Sequence, residues 1–139
     1  MSLENIRQDI VTAVAQLVPT VGTSFTLKVE YPNIELINTK DQLDPFLSVD
    51  IKLIDAYQVD LSLTPTQRFI GQISLSVGVP KGSGMAVANN ILGHFYKGLH
   101  RRMLGSVRTF MAEPTPTLKP IDDWVYVTML VPFISDQSA

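Results

Sequence analysis

Residues 71–99 read GQISLSVGVPKGSGMAVANNILGHFYKGL, where a strand pattern gives way to a helix pattern across one short turn. Every second residue up to position 79 is apolar, which is the period of a strand with one buried face. These apolar residues are Ile73, Leu75, Val77 and Val79. The residues predicted to form the strand-to-helix turn are Pro80, Gly82, Ser83 and Gly84. From Met85 to Leu99 apolar residues recur at helical spacing, so the stretch predicts a helix packed against a sheet.

The rest of the chain adds a second helix and further strands around this unit. Apolar spacing predicts an amphipathic helix over 3–18, and alternation predicts strands over 25–31, 47–53 and 57–63. The last two runs are close enough for either a hairpin or one bulged strand. A short strand is predicted near 106–111, and the run 124–131, apolar on both faces, predicts a strand in the middle of the sheet. Residues 33–45 and the proline-rich segment 113–120 are predicted to be loops.

Together these elements predict an α+β fold. We expect residues 1–139 to form a single domain, with one mixed, mainly antiparallel sheet of five to six strands. Two main helices are expected to pack on one face of that sheet. The companion face of the strand at 71–80 is polar, so it is expected to meet water or another subunit.

Composition excludes several classes of function. The chain has no cysteine, so it has no disulfide, thiolate metal site or cysteine nucleophile. Eleven basic and thirteen acidic residues give a net charge of −2, which gives the whole molecule no attraction to nucleic acid or anionic membrane. The apolar runs are too short to span a bilayer, and the first residues lack the pattern of a signal peptide. We therefore expect neither a membrane-spanning nor a secreted protein.

Residues that could carry chemistry are few. His94 and His100 are six positions apart on one predicted helix, which places them on different faces and makes a shared metal site improbable. The loop 81–84 ahead of that helix offers backbone N–H groups that could hold an anion, and this keeps a small anion-binding enzyme domain open as an alternative. Its other interpretation is a structural turn.

Charge is distributed unevenly along the chain. Residues 30–60 carry seven acidic side chains and two lysines, whereas residues 97–108 carry four basic side chains and no acidic one. Solvated surfaces would explain both clusters, but complementary surfaces could also steer subunits together head to tail. On this second hypothesis the two clusters lie on opposite flanks and meet between neighbouring subunits. The candidate interface residues are Asp50, Asp55, Asp60, Lys97, Arg101, Arg102 and Arg108.

Three parts of the sequence resemble one known family. The run 71–84 with the helix after it resembles the central strand, glycine turn and helix of the small tail-terminator proteins of long-tailed (siphovirus-type) bacteriophages and prophages. The run DDWVYVTMLVPF at 122–133 resembles that family's closing strand, and a helix near Met1 is in the expected place.

The resemblance implies a structural virion protein rather than an enzyme, with no catalytic residue and no cofactor. It implies a hexameric ring that caps the tail tube, stops its polymerisation and offers a surface to the head or neck. The implied partners are further copies of the chain, the tail tube protein and a head or neck connector protein. The implied location is the virion tail, assembled in the cytoplasm of the host bacterium. A neck or head-completion protein is the nearest alternative, and duplex DNA binding through residues 97–108 is not expected.

Overall fold

The computed structural model describes residues 2–22, 27–31, 44–59, 66–82, 85–113, 117–121 and 123–138. In chain order the helices and strands are α1 (Ser2–Leu17), β1 (Lys28–Glu30), β2 (Phe46–Gln58), β3 (Thr66–Pro80), α2 (Ala86–Leu99), β4 (Met103–Leu104), β5 (Val107–Thr109), β6 (Thr117–Ile121) and β7 (Trp124–Ser138). A short 3-10 helix, Val18–Thr20, follows α1.

The strands of the described residues all belong to one mixed sheet. Its strand order is β1-β2-β3-β7-β5-β4, and β6 pairs with β7 beside this path. Among these strands, β1 and β2 run parallel and the other pairs are antiparallel. β3 and β7 pair along their full lengths, from Thr66 opposite Ser138 to Pro80 opposite Trp124. The predicted α+β class with one mixed, mainly antiparallel sheet is confirmed, with six strands besides the two-residue β4.

Both helices pack on one face of the sheet. Ile6, Ile10 and Val14 of α1 are four residues apart and buried, which is the spacing of one helical face. The buried stripe of α2 consists of Ala88, Ile91, Leu92, Phe95 and Leu99. These side chains share one core with the alternate β3 residues Ile73, Leu75, Val77 and Val79. The periodicity that predicted β3 and α2 therefore identifies the two surfaces that meet in the core.

The other face of the sheet carries polar residues and a small aromatic cluster. Ser76 and Thr128 lie opposite each other in the β3–β7 register, and their hydroxyl oxygens are 2.9 Å apart. The Phe46 ring stands edge-on to Trp124, with centroids 5.2 Å apart, and covers Gly78. A Cβ atom at Gly78 would come within 2.9 Å of that ring. β3 therefore has a glycine at the position where the Phe46 ring packs against its backbone.

β2 is one continuous strand with a bulge rather than two strands of a hairpin. Its register against β3 shifts between Leu53 and Asp55, which leaves Ile54 as the extra residue. The structure therefore selects the bulged strand from the two alternatives for residues 47–58.

The proline-rich segment departs from its prediction as a loop. Residues 117–121 form β6, which pairs with the Trp124–Thr128 end of β7. β6 pairs with no strand other than β7 among the described residues, so it lies at an edge, where a strand tolerates proline. The predicted loop at 33–45 lies mostly outside the described residues, as do residues 25–26 of the predicted first strand and residues 60–63 of the predicted strand 57–63.

Candidate functional site

A groove lined by three arginines lies at the β4–β5 end of the sheet. Its volume is about 760 Å³, and we call it the arginine groove. Its lining residues are Arg101, Arg102, Met103, Arg108, Thr109, Phe110 and Met111. Of the four basic residues that the sequence grouped, three line the groove. The fourth, Lys97, is exposed on α2, and its carbonyl oxygen lies 3.4 Å from a guanidinium nitrogen of Arg102.

The end of α2 sets the position of the first arginine. The His100 N–H donates to the Tyr96 carbonyl, and the next residue, Arg101, has a φ of +51°. Arg101 is the one non-glycine residue with positive φ in the described part of the chain. A left-handed residue after a helix is a common stop signal, but glycine usually occupies that position. The Arg101 N–H then donates to the carbonyl of Phe110, which ties the arginine to the far side of the groove.

A buried threonine holds the second arginine. The Thr109 hydroxyl accepts a hydrogen bond of 2.7 Å from the Arg102 N–H and lies within bonding distance of the Leu99 carbonyl, to which it donates. The Thr109 N–H donates to the Arg102 carbonyl at 2.8 Å. Thr109 is only 2% exposed, so these bonds form away from water. Thr109 is not among the predicted site residues, because a threonine in a short strand carries no distinctive signal in the sequence.

The groove combines positive charge with apolar surface. Among the described residues no acidic side chain lines it, and the Arg108 guanidinium lies 5.8 Å from the centroid of the Phe110 ring. Met103 and Met111 are 66% and 57% exposed, which is unusual for large apolar side chains. Arginine, methionine and phenylalanine are enriched at protein interfaces. The groove is therefore suited to a partner that has both a carboxylate and an apolar side chain.

The acidic candidates Asp50 and Asp55 lie on β2. They face Ser74 and Ile70, which share one face of β3, so both carboxylates lie on the face opposite the helices. Residues five apart on a regular strand point to opposite faces, and the bulge at Ile54 is what brings these two together. Lys52 lies between them in the register. Asp60 lies outside the described residues.

The same part of β2 is an edge. β1 pairs only with Phe46–Ser48, and in the described ranges no strand pairs with the remainder of β2 on that side. The N–H groups of Ile51 and Ala56 donate to the carboxylates of Asp50 and Asp55, at 3.0 and 2.8 Å. These carboxylates therefore occupy N–H groups that another strand could otherwise use. Large apolar side chains of β2 are nevertheless exposed: Leu53, Ile54 and Tyr57.

The two candidate surfaces stand at different ends of the sheet. In the strand order, β3 and β7 separate β2 from β5 and β4. Two strands therefore lie between Asp50 and Asp55 and the groove in the sheet of one copy.

The predicted glycine turn is a strand-to-helix connection. Pro80 is the last residue of β3, and Gly82 has a φ of +82°, which favours glycine. The Lys81 N–H donates to the Asp123 carbonyl at 2.8 Å, so this amide is not available to an anion. Ser83 and Gly84 lie outside the described residues.

Other chemical groups have structural partners. Nε2 of His94 is 2.8 Å from the Leu17 carbonyl, and Nδ1 of His100 accepts from the Ala112 N–H. No cluster of three or more His, Cys, Asp or Glu side chains in the described ranges could hold a metal ion. Neither of the two described α-helices is long and apolar enough to cross a bilayer.

Comparison with known proteins gives a fold but no family. No family model matches the chain, and no curated protein matches it. A solved structure known only by a sequence identifier superposes with a TM-score of 0.73, at 15% sequence identity. The match covers 99% of this chain and 96% of the other. At this identity, the similarity extends to the fold alone.

Proposed function

We propose that this protein is a tail-terminator subunit of a long-tailed phage or prophage. In this function, copies of the chain close into a ring on the end of the tail tube, stop its polymerisation and offer a surface to the head or neck. The ring belongs to the virion tail and assembles in the cytoplasm of the host bacterium. Its action is by shape and association, with no substrate turned over.

One observation carries the proposal: the two ends of the sheet are unlike and complementary. The β2 end carries Asp50 and Asp55 with exposed apolar side chains, and the other end carries the arginine groove. A surface that fits a different surface on the next copy makes a head-to-tail interface, and such interfaces close into rings or extend into filaments. The resemblance of residues 71–84 and 122–133 to tail terminators favours the ring.

The experiment follows polymerisation of a tail tube protein in the presence of the purified chain. We expect tubes that are shorter and that end in a ring, seen by negative-stain electron microscopy. The variant with Arg101→Glu and Arg102→Glu is the test of the interface, and Lys81→Glu, a charge reversal at the exposed turn after β3, is its matched control. Tubes of unchanged length with bare ends would contradict the proposal.

The same experiment separates the nearest alternative. A neck or head-completion protein would form rings that bind the head connector and leave tube length unchanged.

A further inference from the structure

The bulge of β2 presents an apolar side chain with a carboxylate beside it. Ile54 is the extra residue of the bulge and is 56% exposed, more than any other large apolar side chain of β2. Asp55 follows it directly and is exposed. A bulge at a strand edge redirects side chains and twists the strand, so it presents these two residues differently from a regular strand.

The arginine groove has the complementary composition. Its apolar residues Phe110 and Met111 offer contact to an aliphatic side chain, and its guanidinium groups offer paired donors to a carboxylate. A volume of about 760 Å³ lies within the range of roughly 300–1,000 Å³ of pockets that enclose a small molecule, so the groove has room for a few side chains.

We propose that Ile54 and Asp55 of one copy seat in the arginine groove of a second copy, with Arg101 selecting the carboxylate. The inference rests on the head-to-tail packing of the proposed function and names the contact that makes it. Ile54 packs on Phe110 and Met111, and the carboxylate of Asp55 pairs with the guanidinium of Arg101. β2 and the groove are at different ends of the sheet, so each copy can offer its bulge to one neighbour and its groove to another.

The backbone at Arg101 supports a role in recognition. The position has the φ of a glycine, and a side chain there adds steric strain. Strained residues that persist in folded proteins cluster at binding and catalytic sites. The arginine at this strained position lines the groove, whose described lining residues include no acidic side chain.

Disulfide trapping tests the contact directly, because the natural chain has no cysteine. One chain carries Ile54→Cys, and a second chain, with a longer tag, carries Met111→Cys. The two are mixed at high concentration and mildly oxidised, and the products are separated without reductant. A disulfide requires the two Cβ atoms to approach to about 4 Å, so the mixed dimer reports the proposed contact.

Matched controls distinguish a specific contact between residues 54 and 111 from random collision of two cysteines. Leu3→Cys on α1, at a position 45% exposed, replaces Ile54→Cys in the control mixture. We expect the mixed 54–111 dimer to exceed both homodimers and the control dimer. Adding Arg101→Glu to the Met111→Cys chain brings a like charge opposite Asp55, so we expect about tenfold less mixed dimer. Adding Arg101→Gly, which relieves the backbone, should also lower the yield.

Each result decides the inference. A mixed dimer no more abundant than the control dimer overturns it, and if rings still cap tail tubes the proposed function then stands on another interface. A mixed dimer that depends on Arg101 supports the contact even if tubes are not capped, in which case the proposed function fails alone. Duplex DNA that binds the chain and suppresses the mixed dimer would also overturn the inference, because the groove would then be a phosphate site.

Discussion

At the level of single residues, Thr109 determines how the arginine groove is built. Its hydroxyl connects the Arg102 N–H with the Leu99 carbonyl, so it joins the end of α2 to β5. Both backbone groups would lose this partner if the hydroxyl were removed. A buried polar group without a partner costs more than a hydrogen bond contributes.

Thr109→Val tests this role, because valine keeps the shape of threonine and removes the oxygen. We expect a loss of about 1–3 kcal/mol in the free energy of unfolding, measured by urea denaturation. Thr109→Ser keeps the hydroxyl and should cost less. Equal stability of the valine variant and the natural chain would show that water replaces the hydroxyl.

Replacing Arg101 by glycine has two opposing effects on stability. A left-handed conformation costs a residue with a Cβ atom roughly 1–2 kcal/mol, while glycine gives the unfolded chain extra freedom worth about 0.4–1 kcal/mol. Relief of the strain is at least as large as the cost of the added freedom, so we expect Arg101→Gly to leave the free energy of unfolding unchanged or to raise it by up to roughly 1.6 kcal/mol. A clear loss in urea denaturation would mean that the arginine side chain supports the fold itself.

Asp136 gives the fold a dependence on acid. Its carboxylate receives two hydrogen bonds from the Arg68 guanidinium, at 2.8 and 2.9 Å, and these bonds lower the pKa of Asp136 below its ordinary value of 3.8. A carboxyl group with a lowered pKa in the folded state stabilises the fold above its unfolded pKa. That contribution is lost as the pH falls through the folded pKa.

The melting temperature of Asp136→Asn should therefore lie below that of the natural chain at neutral pH. The difference should shrink below about pH 4 and vanish once the carboxyl group is protonated in both states. The side chains of Arg68 and Asp136 are 34% and 42% exposed, so salt should reduce the difference at neutral pH. A difference that stays constant from pH 7 to pH 2 would contradict this assignment.

At the level of elements, three glycines differ in how much space a side chain would have at their positions. A Cβ atom at Gly71 of β3 would lie 2.5 Å from the Lys52 carbonyl oxygen, which is rigid backbone. At Gly98 of α2 the nearest atoms, also 2.5 Å away, belong to the Leu17 side chain, which can move. At Gly93 of the same helix nothing lies within 4 Å.

Alanine at these three positions should give three different stabilities. Gly93→Ala should stabilise the fold by about 0.5–1 kcal/mol, because alanine is the better helix former and meets no neighbour. Gly71→Ala should destabilise it by roughly 1–3 kcal/mol, because the strand must shift. Gly98→Ala should fall between them. Unfolding curves of the three variants test the order, and a Gly71→Ala variant as stable as Gly93→Ala would contradict it.

The sequence predicts the elements whose pattern is local. α2, β3 and the central β7 follow from periodicity, because each residue's face is fixed by its own neighbours in the chain. The bulge at Ile54 is different: it arises from pairing with β3, and it alone places Asp50 and Asp55 on one face. The role of Thr109 and the backbone conformation of Arg101 are beyond prediction for a related reason, although Arg101 itself is among the predicted interface residues. The sequence grouped Arg101 by charge, but its backbone strain and its hydrogen bond to the Phe110 carbonyl exist only in the folded chain.

At the level of the whole molecule, the net charge is small but oppositely charged side chains lie on separate surfaces. The net charge is only −2, yet three arginines line one end of the sheet and Asp50 and Asp55 lie at the other. Attraction between such surfaces steers encounter and fixes register more than it adds affinity, and salt screens it. Self-association of the chain should therefore weaken as salt is raised.

Exchange of the charges between the two surfaces is the sharpest test at this scale. One chain carries Asp50→Lys and Asp55→Lys, and a second carries Arg101→Glu and Arg102→Glu. Each chain alone brings like charges together and should remain monomeric by native mass measurement. In the mixture, the natural groove of the first chain can bind the natural bulge of the second. The two reversed surfaces also carry opposite charges and can bind each other, so alternating oligomers should form.

Lys52 provides a second test of the same interface. It lies between the two aspartates and opposes the arginines of a neighbour, so Lys52→Glu should raise self-association at low salt. The gain should disappear at about 1 M salt, where the screening length falls to roughly 3 Å. If the exchanged chains stay monomeric together while Lys52→Glu changes nothing, the two ends of the sheet do not meet, and any ring that forms must use other surfaces.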